Sequence, residues 1–145
     1  MGLGELSIRM GARAEAQSVL ERGLDVSSHG PPSLLALMQV VWAFWSYSHS
    51  TREQAERMLR ESIASFAKLS DQWGEALGLA ILGEKLCGSG RFAEAETPVH
   101  RSLALRTEIG DQWGMAMSWY VVGTLAEARA DLAEAAEAYG ESLAL

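Results

Sequence analysis

The sequence is poor in cysteine, histidine and basic residues. Cys87 is its only cysteine, so an intramolecular disulfide and a cage of several thiolates around a metal are both excluded, and the lone thiol is typical of a reducing cytoplasm. Twelve basic residues against nineteen acidic ones give a net charge of −7, and no three basic residues stand in a row. Because non-specific nucleic-acid binding requires Lys and Arg to neutralise phosphates, we expect no direct nucleic-acid partner.

Long apolar runs and targeting segments are also missing. The first residues, MGLGEL, lack the basic region and apolar stretch of a secretory signal. The most apolar segment, Leu34 to Trp45, is too short to cross a bilayer and contains Gln39, so it predicts a buried helix. With 48% apolar and 21% charged residues among 145, the composition is that of one globular domain, which we expect to be cytoplasmic and without a membrane partner.

Residues that carry catalysis or bind metals are sparse. His29, His49 and His100 lie far apart in the chain, whereas a metal site needs ligands at helical spacing or a nearby carboxylate cluster. A phosphate-binding loop of the form G-x-x-x-x-G-K-[ST] is absent. Carboxylates such as Glu94 and Glu96 are expected on the solvated side of alanine-rich helices. The sequence therefore predicts no catalytic residue, no metal ligand, no cofactor and no enzymatic activity.

A repeat of forty residues organises the chain. The word DQWG occurs at Asp71 and again at Asp111. At the same shift, further identities pair Ala76 with Ala116, Gly83 with Gly123, Ala95 with Ala135, and the SLAL that starts at Ser102 with the SLAL that starts at Ser142. A degenerate copy precedes these two units, and a partial copy opens the chain. The predicted units of this single domain are 1–30 (partial), 31–70, 71–110 and 111–145.

Each unit is predicted to be a pair of helices. Apolar residues recur every three or four positions, glycines interrupt them, and no strand pattern competes. Asp71 and Asp111 are predicted helix N-caps. We expect Trp73 and Trp113 to fill the seam with the preceding unit, and the glycine after each tryptophan to let two helices approach closely.

This pattern resembles the tetratricopeptide repeat in its long variety, with a period of about forty residues. The resemblance is carried by Leu3-Gly4, Leu82-Gly83 and Val122-Gly123, by the small residues Ala16, Ala55, Ala95 and Ala135, by the large apolar residues Leu20, Leu59, Val99 and Tyr139, and by Gly23, Ser62, Ser102 and Ser142. It implies an all-α fold, namely a right-handed α-solenoid (superhelix) of antiparallel helix pairs with about 3.5 repeats. The second unit departs from the pattern, with Trp42-Ala43 in the Leu-Gly slot.

The resemblance also implies a binding groove, since the first helices of tetratricopeptide arrays line the concave face. Carried onto this sequence, that geometry places along the groove Leu37, Val40, Phe44, Tyr47, Leu77, Ala80, Glu84, Cys87, Met117, Tyr120, Thr124 and Glu127. This groove is mainly apolar and aromatic, so we predict an apolar or amphipathic segment of a protein or peptide as the partner, and not an acidic tail. The alternative is that these side chains meet one another or a neighbouring unit.

The function that the resemblance implies is non-catalytic binding of protein or peptide. The words GDQWG, AEA and SLAL are similar to arrays in bacterial signalling ATPases, transcription regulators and nucleotide cyclases, so we expect the sensor or interaction segment of a larger bacterial regulator. Two alternatives stay open: a stand-alone sensor that binds a small molecule or signalling peptide, and a structural unit that self-assembles. An open pocket around Phe44, Tyr47 and Tyr120, with Glu84 or Glu127 at its rim, favours the sensor. Because the terminal units are incomplete, we also expect a longer array or a homo-oligomer formed through the open ends.

Overall fold

Helices make up the described part of the chain. The computed structural model describes the backbone of residues 3–46 and 51–145, and the side chains of residues 14–46 and 51–145; Tyr47 and His49 lie outside these ranges. The helices are α1 (Leu3–Ser28), α2 (Pro32–Ser46), α3 (Arg52–Lys68), α4 (Gln72–Gly88), α5 (Phe92–Ile109), α6 (Gln112–Ala128) and α7 (Leu132–Ala144). No strand occurs in these ranges. The all-α prediction is confirmed for the described residues.

Each helix packs against the next along the chain. The pairs α2 with α3, α4 with α5, and α6 with α7 correspond to the three predicted units, and α4 also contacts α2 and α6. The second helices of these units, α3, α5 and α7, have no Cα atoms within 8 Å of one another in the described residues. The first helices therefore form a continuous row through α2, α4 and α6.

The N-terminal segment differs from the prediction. The partial unit 1–30 is predicted to hold the remainder of a first helix around Leu3-Gly4 and a second helix that includes Arg13, whereas α1 is a single helix of 26 residues. The interval between these positions holds an isolated Gly11 and no Pro, Asn or Asp. An isolated glycine is tolerated within a helix, so the chain continues without a break.

The repeated DQWG words start helices α4 and α6, as predicted. The side chain of Asp71 accepts a hydrogen bond from the amide of Gly74 at 2.9 Å, and Asp111 accepts one from Gly114 at 2.9 Å. These bonds satisfy amides that have no partner inside the helix. A Cβ at Gly74 would overlap the ring of Phe66 in the preceding unit. The glycine is therefore needed for the close approach of α3 and α4.

The predicted role of the two tryptophans is wrong. Trp73 is 52% exposed and Trp113 is 72% exposed, so neither side chain fills the seam with the preceding unit. That seam is occupied by Phe66 against Gly74 and by Arg106 against Gly114. In each word the glycine faces the preceding unit, and the tryptophan one residue earlier therefore points towards solvent.

Most of the apolar core forms one cluster that runs from α2 to α7, and Ala76, Leu79 and Leu105 form a second, smaller one. The small residues Ala55, Ala95 and Ala135 of the second helices are buried, as is Leu59, whereas Ala16 in α1 is exposed. Gly83 lies against Val99, which a Cβ would overlap. Trp42, in the Leu82 slot of the repeat, is 2% exposed, and its indole nitrogen has no hydrogen-bond partner among the described residues.

Arginines bridge successive units on the outer side. Arg91 lies 2.5 Å from Glu56 of α3 and 2.6 Å from Glu94 of α5. One unit later, the same arrangement joins Glu96, Arg129 and Glu134. Glu56 is buried, whereas Glu94 is exposed and fits the expected solvated face. The sequence did not predict that these carboxylates hold neighbouring units together.

Candidate binding cavity

A cavity of about 430 Å³ lies between α2, α4 and α6, with α5 behind it. The α5 residues that reach it, Val99, Ser102 and Arg106, are all buried and form its floor. Residues of the three first helices form the walls. Helix packing positions the cavity, because α4 contacts both α2 and α6 and thereby holds the opposite walls in place.

The walls of the cavity are apolar. Phe44 and Trp45 of α2 line one side, and Trp113 and Met117 of α6 line the other, with Leu77 of α4 between them. The rings of Phe44 and Trp45 pack edge to face with centroids 5.5 Å apart. Apart from Leu77, these side chains are large apolar groups that remain exposed. Exposed apolar groups gathered around a concave surface are typical of a binding site.

The floor of the cavity is polar. Arg106 is only 4% exposed; its Nε donates to Ser102 Oγ at 3.2 Å, and its Nη1 donates to Asp111 Oδ2 at 3.3 Å. Ser102 Oγ donates to the carbonyl of Ala76 at 2.9 Å and lies 3.5 Å from Ser118 Oγ. Burial lowers the pKa of Arg106, and the charge of Asp111 opposes this shift. Because a guanidinium is not deprotonated in proteins, the floor carries a positive charge.

Charged groups of α4 stand at the mouth of the cavity. Glu84, which is exposed, lines the cavity. Lys85 Nζ lies 3.3 Å from Glu84 Oε1 and 4.6 Å from the centroid of the Phe44 ring. The ammonium group therefore neutralises Glu84 locally and fixes the ring of Phe44 by a cation–π contact.

The structure brings together six of the groove residues that the sequence predicts. Val40, Phe44, Leu77, Glu84 and Met117 all line the cavity, as does Ala80. Leu37 is exposed on α2 but does not reach it. Tyr47 lies outside the described residues. Whether these residues bind a partner stays a prediction.

The other predicted groove residues form a separate cluster on α6 and α7. Tyr120 packs against Tyr139 with ring centroids 5.7 Å apart, and its carbonyl accepts a hydrogen bond from Thr124 Oγ1 at 3.1 Å. The hydroxyl of Tyr139 donates to Glu127 Oε2 at 2.9 Å. None of these residues lines the cavity. Tyr120 and Glu127 contact Tyr139, and Thr124 bonds within α6, so whether these three residues bind a partner stays a prediction.

Cys87 also lies away from the cavity. It belongs to the core cluster and is buried. Burial raises the pKa of its thiol, and the charges of Glu84 and Glu96 add to the shift. A raised pKa lowers the thiolate fraction, so this geometry does not favour a reactive cysteine.

Arg106, Ser118, Trp45 and Trp113 are cavity residues that the sequence did not predict. One signal was present: at the forty-residue shift, Arg106 takes the place of Phe66. A charged residue at a position that is apolar in the preceding unit marks a local departure from the repeat. The tryptophans carry no such signal, because their exposure depends on the helix seams.

The described residues show neither a metal cluster nor a membrane span. No group of three or more His, Cys, Asp and Glu side chains lies together within residues 14–46 and 51–145. None of the helices traced in these ranges is both long and apolar enough to span a membrane. Comparisons with protein-family models, with curated proteins and with solved structures found no match for this chain. The cavity is the feature on which a function can be proposed.

Proposed function

We propose that this chain is a non-catalytic binding module, and that the cavity between α2, α4 and α6 is its recognition site for an apolar segment of a protein or peptide. The observation that carries the proposal is the set of exposed side chains Phe44, Trp45, Trp113 and Met117 around one apolar cavity. Exposed aromatic groups beside a pocket are the usual anchors of protein interfaces. A partner would remove these groups from water.

The proposed array is of the tetratricopeptide type, with the right-handed superhelix that this type implies. Two repeated contacts support it. Ser102 donates to the carbonyl of Ala76 at 2.9 Å, and Ser142 donates to Ala116 at 2.8 Å, each over 26 residues. Ser102 and Ser142, which occupy the same position of the repeat, thus join the second helix to the first in both units. A cytoplasmic location and a place within a larger bacterial regulator belong to the same proposal.

The absence of catalysis is also proposed, and the floor chemistry supports it. The hydroxyl proton of Ser102 is directed to a carbonyl, and neither Ser102 nor Ser118 has a histidine or carboxylate partner among the described residues. A serine without a neighbouring base is a weak nucleophile. The floor is therefore suited to orienting a ligand by hydrogen bonds.

A sensor of small molecules is the second candidate function. The volume of about 430 Å³ falls within the range of about 300–1,000 Å³ that is common for small-molecule pockets. The pocket contains Phe44 with Glu84 at its mouth, which is part of the arrangement predicted for a sensor, although Tyr120 is elsewhere. Its polar groups are few, with Ser102 and Arg106 on the floor and Glu84 at the mouth, as in sites that orient one small ligand.

A peptide-display selection on the whole chain tests the proposed function. Ala80 lines the cavity, so Ala80→Trp fills it, whereas Ala93 is exposed on α5 and Ala93→Trp is the matched control. We expect selected peptides to carry apolar or aromatic anchors and to bind Ala80→Trp at least tenfold more weakly, while Ala93→Trp binds normally. Peptides that bind all three proteins equally would show that the cavity is not the recognition site.

A further inference from the structure

Arg106 is a departure from the repeat that its packing does not require. In the preceding unit the equivalent residue, Phe66, is 2% exposed and packs on Gly74, and Arg106 packs in the same way on Gly114. An aromatic ring therefore fills this seam without any charge. A buried guanidinium carries a desolvation cost that an apolar residue avoids. Filling the seam therefore does not account for the buried charge of Arg106.

The guanidinium of Arg106 is incompletely paired. Its Nε and Nη1 donate to Ser102 and Asp111, and both bonds are long, at 3.2 and 3.3 Å. Its Nη2 donates to no acceptor in the described part of the chain. Asp111 also accepts from the amide of Gly114, so its charge is shared with the positive N-terminal end of α6. The guanidinium of Arg106 therefore keeps one nitrogen, Nη2, that can donate to a ligand at the floor.

We infer that the cavity binds a small carboxylic acid with an apolar body, whose carboxylate is received by Arg106 while the body lies between Phe44, Trp113 and Met117. Arg106 lines the cavity and is more than nine-tenths buried, so a ligand at the floor meets it away from bulk water. The inference rests on the proposed use of the cavity as a binding site and develops its second candidate.

The cavity offers few hydrogen-bond partners to a peptide main chain, so a protein segment would enter it by apolar side chains, whereas a small acid can also bond to the floor. A bound peptide presents an amide donor and a carbonyl acceptor at every residue, and each needs a partner when it leaves water. Only four of the residues that line the cavity have a polar group besides the tryptophan indoles, namely Glu84, Ser102, Arg106 and Ser118. Of these, Arg106 Nη2 and the hydroxyl of Ser118 can donate to one carboxylate at the floor, whereas the proton of Ser102 is already given to the carbonyl of Ala76. An extended chain finds too few partners there.

Titration with a matched pair of ligands tests the inference. Decanoate and decan-1-ol share an apolar chain and differ in the charged group. Binding is followed by calorimetry and by the intrinsic tryptophan fluorescence, to which Trp45 and Trp113 at the cavity contribute. Arg106→Met removes the guanidinium, and Arg57→Met is the control, since Arg57 is exposed on α3 and does not line the cavity. We expect wild type and Arg57→Met to bind decanoate more tightly than decan-1-ol. Arg106→Met should bind decanoate at least tenfold more weakly than wild type does, and its affinity for the alcohol should fall less than twofold.

A second variant distinguishes a loss of the guanidinium from a loss of the fold. Arg106→Phe introduces the residue that Phe66 provides in the preceding unit, so the seam keeps an apolar filling; its helix content is checked by circular dichroism. If folded Arg106→Phe and Arg106→Met bind decanoate as wild type does, the inference is wrong, although the cavity can still bind apolar groups. A peptide with a free carboxylate that binds tenfold more tightly than decanoate would also overturn it. If Ala80→Trp affects neither decanoate nor selected peptides, the proposed function fails as well.

Discussion

Arg106 Nη1 lies 3.3 Å from Asp111 Oδ2, and this contact joins the last turn of α5 to the first turn of α6. The other carboxylate oxygen of Asp111 caps α6 by accepting from Gly114. Asp71, its counterpart in the preceding unit, caps α4 in the same way, and there Phe66 occupies the seam position that Arg106 takes in the next unit. The two aspartates of the repeated word therefore have different energetic roles.

The first prediction compares the alanine variants of these aspartates. Asp71→Ala removes a cap and should lower the free energy of unfolding by about 1 kcal/mol. Asp111→Ala also leaves the buried Arg106 without its carboxylate, and the loss should reach about 3 kcal/mol. Urea denaturation followed by circular dichroism measures both. Equal losses for the two variants would mean that the Arg106–Asp111 pair contributes nothing.

The second prediction concerns two glycines of α4. A Cβ at Gly83 would overlap Val99, whereas nothing lies within 4 Å of a Cβ at Gly88. Gly83→Ala should cost about 1 to 3 kcal/mol through overpacking. Gly88→Ala should be neutral or stabilising by up to about 1 kcal/mol, because alanine has the better helix propensity. Thermal and urea unfolding distinguish them, and a neutral Gly83→Ala would contradict the observed packing of α4 on α5.

The third prediction separates buried from exposed tryptophans. Trp42 is 2% exposed and Trp113 is 72% exposed. Trp42→Ala should lower the free energy of unfolding by about 3 to 5 kcal/mol, since it leaves a cavity in the core. Trp113→Ala should change it by about 0.5 kcal/mol or less, as exposed substitutions usually do. A large loss of stability in Trp113→Ala would instead support the predicted packing of Trp113 in the seam between units.

The fourth prediction is a pH dependence from Cys87, whose thiol pKa is raised by burial above the ordinary value of 9.0. The folded state favours the protonated thiol, so its contribution to stability is complete below the unfolded pKa and is lost as pH rises through the folded pKa. Stability should therefore fall above pH 9.0, and Cys87→Ala should reduce that fall. Iodoacetamide at pH 8 should alkylate the native protein more slowly than the urea-unfolded chain. Equal rates would show that the thiol is exposed.

Much of the fold could be predicted because its signals are local. The caps at Asp71 and Asp111 depend on a side chain and an amide three residues away. The helix pairs follow from apolar spacing and from glycine breaks, and the forty-residue identity relates one pair to the next. The single helix α1 was not foreseen, because the degenerate first unit has the repeat's residues without its turn chemistry.

The candidate site was predicted only in part, since a cavity depends on the relative placement of helices. Val40, Phe44, Leu77, Glu84 and Met117 share helical faces that the repeat geometry can locate. Tyr120 has a similar position in its helix, yet Tyr139 packs against it and the cavity ends before it.

The sequence by itself determined the helical class, the period of the units and the residues that start α4 and α6, because these depend on neighbours within one or two turns. Only the tertiary structure decided that Trp113 faces solvent and that Arg106 lies buried beneath an apolar cavity. Both outcomes arise where α5 and α6 meet over Gly114. The closeness of that approach is set by the packing of whole helices, which no short segment of sequence specifies.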